Sequence, residues 1–86
     1  MAYNIVYKKS VKHDLRSLPK ADIALILDRI EKDLSKKPEA FPTLKGKFAG
    51  LRKYRVDDYR VIFVILEKDV VILRIGNRSD VYKRRI

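Results

Sequence analysis

Lys53, Arg55 and Arg60 fall within eight residues of one another, in the run L-R-K-Y-R-V-D-D-Y-R-V-I-F-V-I-L from Leu51 to Leu66. Side chains of this type hold phosphate oxygens through charge-assisted hydrogen bonds and stabilise negative charge as it develops at phosphorus. Whether they act together depends on how the chain pairs. The run reads as two β-strands around a tight turn at Asp57-Asp58, since Asp tolerates the left-handed backbone that such turns need. Val56 then pairs with Tyr59, Arg55 with Arg60, and Lys53 with Ile62. Paired residues share a face and successive residues alternate. One face therefore carries Tyr54, Val56, Tyr59, Val61, Phe63 and Ile65, with Arg52 near its end. The other carries Lys53, Arg55 and Arg60 beside Ile62, Val64 and Leu66. Two unit charges ~6 Å apart at an effective dielectric of ~20 repel by roughly 3 kcal/mol, less when solvated. Either an anion sits over this cluster or the arginines splay into solvent, and the pairing alone leaves both readings open.

The charge of the whole chain weighs toward the anion. Lys and Arg number 21 against 11 Asp and Glu, a formal net charge of +10 in 86 residues. Residues 1–40 carry +3 and residues 41–86 carry +7. An excess concentrated in the strand-rich half points to a polyanionic partner, nucleic acid first. A membrane surface is a poorer fit, because no basic amphipathic helix carries the excess. The sequence has no Cys and one His, so neither a disulfide nor a metal-ligand grouping is expected. No apolar run reaches transmembrane length and no stretch reads as a secretory signal, so an intracellular, cytoplasmic protein is expected.

The elements that position these residues follow from periodicity. Ala2 to Tyr7 reads as a first strand. Ser10 suits a helix cap with Asp14 in the first turn, and Val11, Leu15 and Leu18 make an apolar stripe. Pro19 fits the start of a second helix, in which Ile23, Ile26, Leu27, Ile30 and Leu34 line one face until Pro38. Residues 38–50 hold two of the three prolines and two of the three glycines and read as a loop carrying Lys45 and Lys47. After the paired strands, Glu67-Lys68-Asp69 turns the chain and Val70 to Ile75 forms a last strand. The face taken by Arg74 depends on that turn: two and three residues give opposite answers. The order β-α-α-β-β-β in residues 1–86 predicts one α+β domain, a small antiparallel sheet with a helical hairpin packed on one face. The opposite face is then open and carries the cations. Arg78 follows the last strand, and Tyr82 lies four residues on, within reach of the same face if the tail is helical.

Several stretches together carry a resemblance. The element order, Leu44-Lys45-Gly46, the run from Leu51 to Val61 and the ending Gly76-Asn77-Arg78-Ser79-Asp80-Val81-Tyr82 resemble the RelE toxins of the RelE/ParE superfamily, over nearly the whole chain. The resemblance implies a toxin of a type II toxin–antitoxin system, neutralised by a RelB-type antitoxin and reaching operator DNA only through that complex. It implies a metal-independent, cofactor-free endoribonuclease that cuts messenger RNA in the ribosomal decoding site. By position, Lys53, Arg60, Arg78 and Tyr82 match the catalytic set of these enzymes. Lys45, Lys47, Arg52, Arg55, Lys83 and Arg84 are the accompanying candidates for RNA contact. Leu51 stands where some members have a further lysine, and the spacing from Arg78 to Tyr82 is shorter than in some. Two other functions fit the superfamily or the charge: a non-catalytic, ParE-like inhibitor of DNA gyrase, and a nucleic-acid-binding module without cleavage.

RNA cleavage by its own 2′-OH needs a base for the 2′ proton, cations for the phosphorane and an acid for the leaving 5′ oxygen. His13 lies in the first helix, away from the basic strands in sequence, so a histidine mechanism is not expected. Arg60 and Arg78 suit bidentate phosphate contact, with Lys53 and Tyr82 sharing acid–base and positioning work. A set this weak needs its substrate shaped by something else, which predicts poor cleavage of free RNA and better cleavage on the ribosome.

Overall fold

The computed structural model describes residues 2–77. The elements are β1 (Asn4–Tyr7), α1 (Lys9–Arg16), α2 (Lys20–Arg29), β2 (Arg52–Val56), β3 (Tyr59–Leu66) and β4 (Asp69–Asn77), in the expected order. α2 runs into a wider π-helical turn, Ile30–Leu34, before Pro38 stops it. The four strands form one sheet in the order β1-β4-β3-β2. β2–β3 and β3–β4 are antiparallel, as expected, but β1 lies parallel to β4. The sheet is therefore mixed, which corrects the all-antiparallel expectation at this one seam. Strand direction gives the reason. The helical crossover returns β2 in the direction of β1, two hairpins then reverse the chain twice, and β4 again runs with β1.

The β2–β3 hairpin has the expected register: Val56 opposite Tyr59, Arg55 opposite Arg60, Lys53 opposite Ile62. Its turn places Asp57 at φ 52°, in the left-handed region. The next turn is also of two residues, Glu67 and Lys68, with Leu66 opposite Asp69 and Glu67 at φ 57°.

The core lies between the sheet and the helices. Tyr54, Val56, Val61, Phe63, Val70, Ile72 and Ile75 come from the sheet, Val11 from α1, and Ile26, Ile30 and Leu34 from α2 and its π turn. Of the stripe read from the sequence, Ile26, Ile30 and Leu34 are fully buried, whereas Ile23 and Leu27 are half-buried at its side.

α1 departs from expectation in an informative way. Its N-cap is Lys8, without a side-chain cap, so Ser10 and Asp14 lie inside the helix rather than at its start. Both point at β4. β1 ends at Tyr7 opposite Ile72, while β4 continues to Asn77. α1 covers the edge left bare: Ser10 Oγ donates to the Leu73 carbonyl at 3.0 Å, and Asp14 Oδ2 accepts the Ile75 N–H at 3.0 Å. A buried sheet edge must find such partners, and here one helical turn spacing supplies two.

Candidate functional site

The strand registers divide the open face into two zones. Val6, Val71 and Val64 stand side by side on β1, β4 and β3, with Leu66 next along β3. Val6 is 44% and Leu66 56% exposed, the large apolar side chains most open to solvent among the described residues. The next row is Arg74, Ile62 and Lys53; the row after it is Gly76, Arg60 and Arg55. Lys53, Arg55, Arg60 and Arg74 thus gather at one end of one face, and the apolar residues at the other.

Arg74 reaches this face through a β-bulge. From Leu66–Asp69 to Phe63–Ile72 the pairing is regular; it then shifts by one residue, so that Ile62 opposes Arg74 and Val61 opposes Ile75. Neither turn length considered from the sequence decides the matter; the extra residue in β4 does, by turning the strand over. Without it Arg74 would oppose Val61 on the core side. The signal was present as a broken alternation, Ile72-Leu73-Arg74-Ile75, in which strict period two sets a charge at a core position.

The cations differ in how they are held. Arg74 is 9% exposed and ion-pairs through Nη2 with Asp14 Oδ1 at 3.0 Å, while its Nε is buried without a partner. Arg60 also has a buried, unpartnered Nε. Arg55 Nε donates to the Asp57 carbonyl at 3.0 Å, folding back over the turn. Asp14 is the one carboxylate ion-paired to this cluster among the described residues.

Arg52 does not join them. It lies opposite Phe63, on the helix side, and its Nη1 donates to the Phe41 carbonyl at 2.7 Å and the Glu39 carbonyl at 3.2 Å. It pins the loop to β2, which the Thr43–Arg52 bridge continues. Lys45 and Lys47 are exposed in the loop, where Lys47 Nζ sits 5.4 Å from the Phe48 ring centre. His13 is exposed on α1. Arg78, Tyr82, Lys83 and Arg84 lie outside the described residues.

The helix side handles polarity differently. Tyr54 donates to Asp33, Tyr59 to Asp22 Oδ2 at 2.6 Å, Tyr7 to Glu31 Oε1 at 3.4 Å, and Tyr3 to Glu39. Burial, then Glu31, pushes the Tyr7 phenol up to about 12. Burial and Asp33 raise Tyr54 further, while the hydrogen bonds to Asp22 and Glu39 are the main causes that raise Tyr59 and Tyr3. Raised pKa values favour the neutral form of these four phenols, whose hydroxyls tie Tyr3 and the strand residues Tyr7, Tyr54 and Tyr59 to the helical segments. The chain has five tyrosines, and Tyr82 is the fifth.

Comparison with known proteins bears on the whole chain. A family model described as the ParE toxin of type II toxin–antitoxin system, parDE, matches residues 5–82. Toxin RelG of Mycobacterium tuberculosis is 31% identical over 87 residues, covering 98% of this chain and all of the relative. The toxin in the RelBE2 toxin–antitoxin complex of the same organism superposes with a TM-score of 0.84 at 28% identity, covering 91% of this chain and all of that one. A RelE–RelB complex from the archaeon Pyrococcus horikoshii gives 0.66 at 32% identity over 93% of this chain and 99% of that one. With this sheet, this helical hairpin and these relatives, the chain belongs to the ParE toxin family within the RelE/ParE superfamily, and it is a toxin of a type II toxin–antitoxin system.

Proposed function

We propose that the protein is a ribosome-dependent endoribonuclease that cuts messenger RNA in the decoding site. The observation that carries this reading is the open-face cluster of Lys53, Arg55 and Arg60, in which Arg55 and Arg60 are direct cross-strand partners. Directly opposed like charges destabilise a sheet, so an arrangement of this kind is accounted for by an anion that covers it. Arg60 contacts the phosphate and stabilises the phosphorane; Arg78 assists. Lys53 and Tyr82 share proton transfer from the attacking 2′-OH and to the leaving 5′ oxygen, giving a 2′,3′-cyclic phosphate and a free 5′-OH. The other four tyrosines donate to carboxylates on the helix side, and Tyr82, matched by the motif at the end of the chain, is the phenol assigned to this work. Lys45 and Lys47, exposed in their loop, supply ribosomal RNA contacts.

The antitoxin of this system is a RelB-type chain. Several structural neighbours are complexes of RelE with RelB. The divided open face suits a segment that presents apolar residues to Val6, Val64 and Leu66 and acidic residues to the cations beyond them.

Primer extension on a message in programmed ribosomes tests the nuclease reading, with the wild type, Arg60→Ala and Arg78→Ala, and with free RNA alongside. Decoding-site cuts that need both the ribosome and the arginines are expected. No cleavage by the wild type under these conditions overturns it. The ParE description of the matching family favours a second reading, inhibition of DNA gyrase, and a supercoiling assay on the same preparations reads that directly.

A further inference from the structure

Asp14 is 6% exposed and makes two contacts with consecutive residues of β4: its Oδ1 with the Arg74 guanidinium and its Oδ2 with the Ile75 N–H. Ser10, one helical turn earlier, binds the carbonyl of Leu73. α1 therefore grips Leu73, Arg74 and Ile75 in succession, directly after the point where the β3–β4 register shifts. We propose that Asp14 is the positioning residue of the basic face: it holds β4 in its bulged register and so decides which residues of that strand stand beside Lys53, Arg55 and Arg60.

The alternative register is one residue away. If pairing continued regularly past Phe63–Ile72, Ile62 would oppose Leu73, Val61 would oppose Arg74, and Arg60 would oppose Ile75. Arg74 would then turn to the core side and Ile75 to the open face, since a slip of one residue exchanges faces. The pattern of apolar residues opposes that slip, but it offers nothing to the edge N–H of Ile75 or to a buried guanidinium. Asp14 answers both with one carboxylate. Arg74 Nε has no partner, so the ion pair is its anchor among the described residues. In the bulged register the residue of β4 opposite Arg60 is Gly76, which has no side chain to set beside that arginine. In the regular register Ile75 would stand there instead. Register thus decides whether the β4 neighbour of Arg60 is a glycine or a bulky apolar side chain.

The functional consequence rests on the RNA-cleavage reading; the register does not, and the two are measured separately. Nuclear magnetic resonance on the full chain reads cross-strand contacts and the exchange of the Ile75 amide. In Asp14→Ala, exchange at Ile75 is expected to rise by at least roughly tenfold, and Ile62–Leu73 contacts to grow at the expense of Ile62–Arg74. Asp14→Asn keeps an acceptor for Ile75 but leaves Arg74 without its counter-charge. Its cleavage rate on programmed ribosomes is expected to fall about tenfold while the concentration dependence stays put, the pattern of a group that positions rather than binds. Asp14→Asn combined with Arg74→Gln restores a neutral hydrogen-bonding pair and is expected to recover most of that loss, which general destabilisation would not do. Wild-type exchange and wild-type cross-strand contacts in Asp14→Ala overturn the proposal. If that variant does not fold, the Asn single and double variants decide, and a double variant no better than the single overturns it. A wild type that does not cleave RNA defeats the nuclease reading, and the exchange and contact data then judge Asp14 alone.

Discussion

The two faces of the sheet treat charge in opposite ways. On the helix side Tyr3, Tyr7, Tyr54 and Tyr59 meet Glu39, Glu31, Asp33 and Asp22. Each pair joins a neutral donor to a charged acceptor, so no like charges are brought together and every hydroxyl is satisfied. On the open side Arg55 stands opposite Arg60, and Lys53 shares a row with Arg74. Among the described residues of this cluster, Arg74 is the one ion-paired with a carboxylate. Four carboxylates, Glu39, Glu31, Asp33 and Asp22, are engaged with tyrosines on the helix side. The helix side is arranged for stability and the Arg55–Arg60 pair of the open side against it, and that difference is the ground for proposing that the open side takes a partner.

The sharpest way to break that comparison is to change one residue on each face and ask for effects of opposite kind. Arg60→Gln removes a cation whose Nε has no partner in the fold. If the open face is built for an RNA phosphate, cleavage on programmed ribosomes drops by about 10²–10³-fold, the usual cost of losing a group that stabilises transition-state charge. Denaturant unfolding of the same variant shows no loss of stability. A variant that unfolds early and still cleaves would invert the assignment of the two faces. Tyr54→Phe is the counterpart. Its ring packs edge-on against Phe41, 4.9 Å between centres, and its hydroxyl reaches Asp33. The ring survives the change and the hydrogen bond to a charged group does not, so stability is expected to fall by about 1.5–3 kcal/mol with cleavage by the folded protein unchanged.

The tyrosine ties also make an alkaline prediction. A phenol raised above its ordinary value favours the folded state below about pH 10, and that contribution disappears as pH climbs through the folded-state value. Tyr7, pushed up to about 12, and Tyr54, raised for the same reason of burial, therefore lose their stabilising effect between about pH 10 and 12 or above. Absorbance of phenolate is expected to grow late and together with loss of folded structure. Ionisation of all the tyrosines near pH 10 in a protein that stays folded would show that the ties are not made.

How much of this was legible in the sequence depended on the range of the signal. The β2–β3 hairpin was readable because its pattern is local: alternation on both sides of Asp57-Asp58 fixes the register and puts Lys53, Arg55 and Arg60 on one face. Ile26, Ile30 and Leu34 were readable for the same reason on a helical period. The side taken by Arg74 was not, because a bulge adds a residue that alternation cannot place. Ser10 and Asp14 suggested a helix cap, since a helix start is the local explanation for such residues; their partners lie 63 and 61 positions away. The tyrosine–carboxylate ties span between 21 and 37 positions and leave no local trace. The parallel seam between β1 and β4 follows from strand direction once the two are known to be neighbours, and that neighbourhood is a property of the whole fold. Of the candidate site, the shared face of the basic strand residues was legible from pairing, whereas Arg78 and Tyr82 rested on the motif at the end of the chain.

Two small changes sharpen the comparison without touching the core. Glu67 holds a left-handed conformation, φ 57°, in the turn between β3 and β4. Replacing it with Gly removes a backbone cost of about 1 kcal/mol and should stabilise the protein by somewhat less, because glycine also frees the unfolded chain. The smallest effect is the most telling. Arg55→Gln relieves a like-charge pair on an exposed strand, which predicts a gain of a few tenths of a kcal/mol, between the low end for cross-strand pairs and nothing at all. The gain should shrink as salt is added, since added ions already screen the repulsion at this exposed site. The same substitution should weaken RNA binding and lower the slope of log affinity against log salt by nearly one contact. A stability gain coupled to a binding loss, both diminishing with salt, is what a face held in tension for a polyanion requires. If Arg55→Gln leaves binding and its salt slope unchanged, Arg55 belongs with the solvated charges of the turn, and the anion site narrows to Lys53 and Arg60.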